Sequence, residues 1–235
     1  MDLSSFYADS SVGPLPDYEG GTRRVRLQLK NVGSMSFPSG VVGAADPLCV
    51  DKDFLRFDAP AGEDGEIPRA TIFATLADVS DRQDGSHLRI AYLSAVFSKR
   101  DAVSIEPAIP VGRDRSELRS GYEFAIPVDA GTVGFFDGDE ILTLLSTFSE
   151  DEQEDIRDSW IDKLYEDEDA PSCQAEKFEY ALGKEELAGH GTMAISSAGW
   201  GDGSYPVYRT LDADGKVLGY HIDLLVVGDS SEGDE

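Results

Sequence analysis

The residues best suited to chemistry in this sequence are four aspartates that stand beside glycines or interrupt apolar runs: Asp129, Asp137, Asp202 and Asp223. Such carboxylates can bind a divalent cation, or act as an acid and base pair when burial raises the pKa of one of them. Three aromatic residues lie close to the third aspartate in the sequence: Trp200, Tyr205 and Tyr208. We therefore predict a candidate binding site that these side chains share.

Other catalytic patterns are weak in this sequence. The chain has three histidines, and neither Cys49 nor Cys173 lies near one of them in sequence. It has no Gly-x-Ser-x-Gly motif, and the glycines around Asp202 lack the lysine and the following helix of a phosphate-binding loop. An enzymatic interpretation, that of a metal-assisted hydrolase, therefore depends on the four aspartates.

A β-hairpin near the C-terminus is the element that must position these candidates. Residues 207–211 and 216–227 are apolar and β-branched runs, separated by Asp212-Ala213-Asp214-Gly215. Asp214 and Gly215 suit the positive φ angles of a tight turn, so we predict two antiparallel strands. Upstream, three glycines surround Trp200 and Asp202, which predicts a tightly folded loop with close backbone approach.

Structural roles compete with chemistry at several of these positions. Asp46 precedes Pro47, which keeps it extended at a strand end, and there turn capping is a better interpretation than catalysis. Asp223 interrupts an apolar strand and needs an arginine or backbone amides as partners, because an unpaired buried charge costs several kcal/mol. Trp200 could equally be a core aromatic residue, and the Asp202 carboxylate could accept backbone N–H groups of its own glycine-rich turn.

The remaining periodicity predicts an α+β fold that is predominantly antiparallel β-sheet or sandwich. Residues 1–22 read as an irregular arm, and 23–227 as a single β-rich domain. Val25, Leu27 and Leu29 alternate with polar residues, as a half-buried strand requires. Residues 67–79 and 88–97 predict a β-meander, and 124–137 predict two further strands. The apolar-free tail 228–235 is predicted to be disordered.

An acidic helical insertion is predicted at about residues 139–170. One apolar face is formed by Ile141, Leu142, Leu145 and Phe148. Ser149 and Glu152 match a capping box, and Ile156, Trp160 and Leu164 continue the pattern at steps of four. The opposite face carries carboxylates at Glu150, Asp151, Glu154, Asp155, Asp158, Asp162, Glu166, Asp167, Glu168 and Asp169. A single helical turn is predicted at residues 184–187.

The net charge of −26 is the strongest compositional signal. It disfavours nucleic acid as a partner, because phosphate would be repelled almost everywhere, and it favours a cationic protein partner. Salt adaptation explains the same charge without a partner. No apolar run long enough to span a membrane and no signal-peptide pattern is present, so a cytoplasmic location and no membrane contact are expected. A disulfide between the two cysteines would be unusual there.

Three blocks of the chain resemble a bacterial family, the domain of unknown function numbered 4241. They are residues 43–48 with the Asp-Pro pair, residues 128–132 with Phe136-Asp137, and residues 197–207 with Gly215 and Asp223. The resemblance implies a β-rich single domain whose shared polar residues lie in these blocks. It brings no assigned reaction.

The function we predict from these observations is that of an acidic protein-binding module. An immunity-type protein that neutralises a basic toxin or another cationic partner would have these properties, and it would need no cofactor. The alternatives are the metal-assisted hydrolase and a salt-adapted protein with another role. The sequence leaves the oligomeric state open.

Overall fold

The computed structural model describes residues 12–16, 22–62, 65–98, 101–118, 124–166 and 182–227. In chain order the strands are β1 (Val12–Pro16), β2 (Thr22–Ser36), β3 (Val41–Ala45), β4 (Leu55–Asp58), β5 (Arg69–Asp78), β6 (Leu88–Val96), β7 (Ser104–Pro107), β8 (Ala125–Val128), β9 (Thr132–Asp137), β10 (Leu182–Glu186), β11 (Thr192–Ser197), β12 (Gly203–Leu211) and β13 (Val217–Asp223). Helix α1 spans Gly138–Thr147, helix α2 spans Glu150–Glu166, and a 3-10 turn spans Arg115–Glu117.

The strands form two antiparallel sheets within the described part of the chain. The larger sheet has the order β1-β2-β5-β6-β13-β12-β7, with β8 also paired to β12. The smaller sheet has the order β10-β11-β9-β3-β4. The predicted class, α+β with mostly antiparallel strands, is therefore confirmed. In the described helices, no segment is both long enough and apolar enough to cross a membrane.

The main hydrophobic core takes side chains from both sheets, including the fully buried Leu27, Ile72 and Phe135. A second cluster attaches the helices to the smaller sheet. Its largest side chain, Trp160, is 1% exposed, and its indole N–H donates to the carbonyl of Glu186 at 3.0 Å. The apolar helix faces predicted from sequence therefore pack inward, although Leu144, which the pattern missed, is more buried than Leu142.

The predicted capping box of α2 is present. The Ser149 hydroxyl and the Glu152 carboxylate are 2.8 Å apart, and the same carboxylate accepts the Ser149 N–H at 2.9 Å. Only Phe148 and Ser149 connect the end of α1 to the start of α2. The capping box satisfies backbone N–H groups at the start of α2, where the Ser149 hydroxyl accepts the N–H of Glu152 at 3.4 Å.

Several expectations about local structure are wrong. Val12–Pro16 is a strand rather than part of an irregular arm, and its prolines are tolerated because β1 is at the edge of the sheet. Residues 184–187 are not a helical turn, because Leu182–Glu186 pairs with β11. The last strand ends at Asp223 instead of residue 227. The tail 228–235 and Cys173 lie outside the described residues, while Cys49 is free and exposed.

The predicted C-terminal hairpin is confirmed, with one change in its turn. Strands β12 and β13 pair antiparallel, with Val207 opposite Ile222. Within the turn only Gly215 has a positive φ, of 76°, whereas both Asp214 and Gly215 were expected to. Asp212 explains the difference, because its carboxylate accepts the N–H groups of Asp214 and Lys216, each at 2.9 Å. This side chain stabilises a four-residue turn that needs one left-handed residue.

Candidate functional site

The glycine-rich loop before β12 is as tight as the sequence predicts. Gly199 has a φ of +36°, and a Cβ atom placed there would lie 2.5 Å from the carbonyl oxygen of Leu224. The Tyr205 hydroxyl donates to the carbonyl of Gly201 at 2.7 Å, which ties the loop to β12. Tyr205 is itself buried, and this burial raises the pKa of its hydroxyl. The loop conformation is therefore determined by backbone approach that only glycine permits.

Trp200 lies on the surface of this loop and is not a core residue. Its side chain is 49% exposed, and the Arg89 guanidinium lies 4.3 Å from the centre of its ring. The same guanidinium donates from Nη1 to the carbonyl of Gly199 at 2.7 Å. Arg89 therefore joins the loop to strand β6 through a charged hydrogen bond and a cation–π contact.

Asp46 anchors the turn that precedes β9. It is 3% exposed, and its carboxylate accepts the N–H groups of Leu48 at 3.1 Å, Asp129 at 3.1 Å and Ala130 at 2.8 Å. The Thr132 hydroxyl donates to it as well. These bonds support the capping role that the sequence favours for Asp46. They also fix the backbone of Asp129, while its side chain remains exposed.

The four candidate aspartates do not meet in one cleft. Asp129 and Asp202 are close to each other. Gly203 pairs with Val128, Asp202 directly precedes Gly203, and Asp129 directly follows Val128. Asp223 lies at the same end of the larger sheet, is 5% exposed and accepts the Leu225 N–H at 2.9 Å. Asp137 is at the other end of β9 from the Asp129 turn. In the ranges that the structure describes, no group of three potential ligands could hold a metal ion.

Asp137 has a structural role as the N-cap of α1. It is 1% exposed and accepts the N–H groups of Asp139 at 3.0 Å and Glu140 at 3.3 Å. Ser39 donates to it from its backbone N–H at 2.9 Å and from its hydroxyl at 2.8 Å. Strand β9 thus leads directly into the helix, and the carboxylate satisfies amides that the helix would leave unpaired.

Tyr208 is the last of the predicted site residues. It is half-buried on β12, opposite Pro107 on one side and His221 on the other. It is thus well along the strand from Trp200 and Asp202. Of the predicted set, the structure brings together Trp200, Asp202, Tyr205 and Asp129, and places Asp223 at the same end of the sheet.

A groove that the sequence did not indicate lies between α2 and residues 48–52. It has a volume of about 870 Å³, and apolar side chains line it at Leu48, Val50, Leu145 and Ile161. Carboxylates also line it at Asp51, Glu150, Glu154 and Asp158, together with the cations Lys52 and Arg157. The helical charge pattern was visible in the sequence, but the loop that forms the other wall had no local signal.

The two cations of α2 contact groups outside the helix. Arg157 donates from Nη2 to the carbonyl of Val50 at 3.0 Å, and Lys163 lies 3.8 Å from the Glu185 carboxylate. Burial raises the pKa of Glu185 despite this neighbour. Neither cation forms an ion pair with the exposed carboxylates of the helix in the described structure. The groove wall formed by α2 is therefore strongly negative.

A smaller cavity of about 330 Å³ lies at the N-terminus of α1, and Ser39, Asp137, Glu140 and His190 are among its lining residues. Burial, and then the charge of Asp137, raises the pKa of Glu140 to about 7. The Glu140 carboxylate fills the space beside Gly191, where a Cβ atom would lie 1.8 Å from Oε2. This carboxyl group is therefore able to exchange a proton near neutral pH.

Comparison with curated proteins and with solved structures found no significant similarity to this chain. A family model does match, over residues 35–221, and its description is "Protein of unknown function (DUF4241)". The matched segment includes β3 to β12 and most of β13, and so contains the Asp46 anchor, both helices and the Gly199–Gly203 loop. The chain belongs to this family.

Proposed function

We propose that this protein binds a cationic, amphipathic segment of another protein in the groove beside α2. The observation that carries the proposal is the combination of an apolar lining with carboxylates on both walls, at Asp51 on the loop and at Glu154 and Asp158 on the helix. A segment with lysine or arginine on one face and aliphatic side chains on the other is complementary to both features. The volume of about 870 Å³ accommodates several side chains.

The carboxylates are available for such a partner. Within the described residues, no ion pair involves any of the exposed α2 acids at Glu150, Asp151, Glu154, Asp155, Asp158 and Asp162. Helix α2 carries eight carboxylates, which repel one another, and a cationic ligand would relieve that repulsion. The free energy of binding therefore gains from the charges as well as from apolar burial.

An immunity-type protein that neutralises a basic toxin is the biological role that we favour for this activity. Opposite charge accelerates diffusional encounter, so association would be fast at low salt and slower as salt screens the field. The four aspartates provide less support for a metal-assisted hydrolase, because Asp137 caps α1 far along β9 from Asp129. The charge supports protein binding without any further assumption about a reaction.

Fluorescence polarisation with a labelled helical peptide tests the proposal. The peptide carries lysines on one face and leucines on the other, and a scrambled peptide of the same composition has the same charge without amphipathy. We expect the amphipathic peptide to bind at least about tenfold more tightly, which corresponds to about 1.4 kcal/mol. Equal binding of the two peptides would show attraction by net charge alone.

A pair of matched variants locates the binding site. Glu154→Gln with Asp158→Asn removes two groove carboxylates, and Glu66→Gln with Asp101→Asn removes two exposed carboxylates elsewhere. The change in net charge is the same in both. We expect about a tenfold loss of affinity for the first variant and little change for the second. Equal losses would mean that the acidity acts as a general property of the surface, as in salt adaptation.

The immunity role has its own test in gene order. A neighbouring gene that encodes a basic toxin-like protein would provide the natural partner, and its product should bind the Glu154→Gln, Asp158→Asn variant about tenfold more weakly than the wild-type protein. A cationic neighbour that binds both forms equally would contradict the groove as the contact site.

A further inference from the structure

A second concave surface lies at the far end of the β12–β13 hairpin, beside residues 58–62. This hairpin cavity has a volume of about 700 Å³ and shares no lining residue with the groove beside α2. Its size falls in the range of about 300–1,000 Å³ that is typical of small-molecule sites.

The inner wall of the hairpin cavity is aromatic and rigid. Tyr220 is 3% exposed, its ring stacks on Phe57 with 5.0 Å between centroids, and Phe97 meets it edge-on at 6.4 Å. The Tyr220 hydroxyl donates to the carbonyl of Asp58 at 2.8 Å. Burial raises the pKa of the Tyr220 hydroxyl to about 12. A planar apolar ring can pack against such a wall.

The more exposed part of the lining is cationic, which is unusual in a chain with 46 acidic and 20 basic residues. Three cations, Arg69, Arg209 and Lys216, face two carboxylates, Asp58 and Asp212. The Asp212 carboxylate accepts the turn N–H groups of Asp214 and Lys216. The local balance of charge is therefore the reverse of that of the whole protein.

These cations are only partly neutralised by neighbours. Arg69 donates from Nε and Nη2 to the uncharged hydroxyl of Ser34, at 3.2 and 2.7 Å. Arg209 forms an ion pair with Glu106, but Arg115 contacts the same carboxylate at 2.7 Å. Two guanidinium groups, of Arg209 and Arg115, thus share the single carboxylate of Glu106, which leaves a net charge of about +1 beside the cavity. An anion that enters it would meet attraction that is absent from most of the surface.

We propose that the hairpin cavity binds a small organic anion, with a planar apolar body against Tyr220 and Phe97 and an anionic group between Arg69 and Lys216. A carboxylate and a phosphate monoester both suit the cationic part of the lining. A bare inorganic anion would leave the aromatic wall uncovered, and a neutral ring would leave the cations without a partner. Both parts of the ligand are therefore required for tight binding.

Anilinonaphthalene sulfonate is a suitable probe, because it joins an aromatic body to one anionic group and its fluorescence rises in apolar sites. We expect saturable binding to the folded full-length protein at a single site. The uncharged analogue N-phenyl-naphthylamine should bind about tenfold more weakly. Absence of saturable binding, or equal affinity for the uncharged analogue, would overturn the proposal.

Variants place the probe in the cavity. Arg69→Gln with Lys216→Gln should raise its Kd about tenfold, and the matched pair Arg26→Gln with Lys30→Gln, on the exposed face of β2, should leave the Kd unchanged. Ala61→Trp, which places a large ring at the cavity lining, should block binding while the melting temperature stays that of the wild type. Equal effects of the two cation pairs, or unchanged binding by Ala61→Trp, would contradict this location.

Displacement of the probe distinguishes the two kinds of natural anion. Naphthalene carboxylate and naphthyl phosphate share one ring system and differ in the anionic group, so the better competitor identifies the ligand class. Millimolar inorganic phosphate should not displace the probe. Displacement by inorganic phosphate as effective as that by naphthyl phosphate would overturn the requirement for an aromatic body.

Discussion

The guanidinium of Arg89 lies 4.3 Å from the ring centre of Trp200 and also donates to the carbonyl of Gly199 at 2.7 Å. One side chain of strand β6 therefore holds two successive residues of the glycine-rich loop. Without this contact the loop would depend on the Tyr205 hydroxyl and on its own backbone bonds.

Arg89→Met should lower the free energy of unfolding by about 2 kcal/mol, because it removes a charged hydrogen bond and a cation–π contact. Urea unfolding measures this change. Arg82→Met, at an exposed position, serves as the control and should stay within about 0.5 kcal/mol of the wild type. A double-mutant cycle with Trp200→Ala should give a coupling of about 0.5–1 kcal/mol, and additive effects would exclude the cation–π contact.

Asp46→Asn should destabilise the protein by about 3 kcal/mol, because each carboxylate oxygen accepts two donors and either orientation of an amide would point its NH₂ group at two of them. Chemical denaturation of this variant is compared with that of Asp53→Asn, an exposed residue in the same connection. Similar stabilities of the two variants would show that the Asp46 anchor contributes little.

The buried His221 should make the protein sensitive to acid. Its ring nitrogens lie 2.8 Å from the Ser94 hydroxyl and 3.0 Å from the Thr210 hydroxyl, and burial lowers its pKa from 6.5 to about 3. Between these values the unfolded chain binds a proton that the folded protein does not, so stability is lost as the pH falls through this range.

The variant His221→Gln isolates this effect from the titration of the carboxylates. The slope of unfolding free energy against pH, measured in urea between about pH 4 and 6, should be smaller than that of the wild type by up to about 1.4 kcal/mol per pH unit. The comparison uses slopes, so a general loss of stability in the variant does not affect it. Identical slopes would show that His221 is not excluded from protonation.

Glu140→Gln should stabilise the protein above about pH 7. The folded pKa of Glu140, about 7, is above its ordinary value of 4.5, so the folded state binds more protons and stability falls as the pH rises between the two values. The amide has no charge to desolvate, and we expect a gain of about 1 kcal/mol at pH 8 after allowance for solvent screening. Thermal melts at pH 5 and pH 8, both at the same ionic strength, measure the difference.

Glu152→Gln is the control with the opposite sign. Hydrogen bonds from Ser149 lower the pKa of Glu152, so its charged form stabilises the folded state. This stabilisation is lost as the pH falls through the folded pKa. Its amide variant should therefore be less stable than the wild type at pH 8. A gain of stability in both variants would mean that relief of net negative charge, and not the environment of Glu140, is the cause.

Local patterns predicted the elements whose residues interact with near neighbours in the chain. The Ser149–Glu152 capping box, the inward face of Trp160 and the pairing of β12 with β13 all follow from spacing within a few residues. The prediction of a helical turn at residues 184–187 is wrong, because their composition favours a helix locally, whereas backbone pairing with β11 determines their conformation. Intrinsic preference is a small free energy, and tertiary pairing outweighs it.

The candidate site shows the same division. The glycines around Trp200 and Asp202 indicated a tight loop correctly, because positive φ angles and close approach are properties of single residues. The sequence could not show that Asp137 caps a helix or that Trp200 meets Arg89, 111 residues earlier in the chain. Those contacts depend on the order of the strands in the sheets, and local sequence patterns do not predict that order.

The sequence alone thus determined the β-rich class, the acidic helices and the C-terminal hairpin, since alternation and capping act over a few residues. Only the tertiary structure decided which carboxylates become buried anchors, such as Asp46, and which remain on a surface, such as Asp158. It also formed the groove beside α2 and the hairpin cavity, because the walls of each come from segments far apart in the chain. Concave surfaces depend on how elements pack against each other, and that packing is decided by long-range contacts.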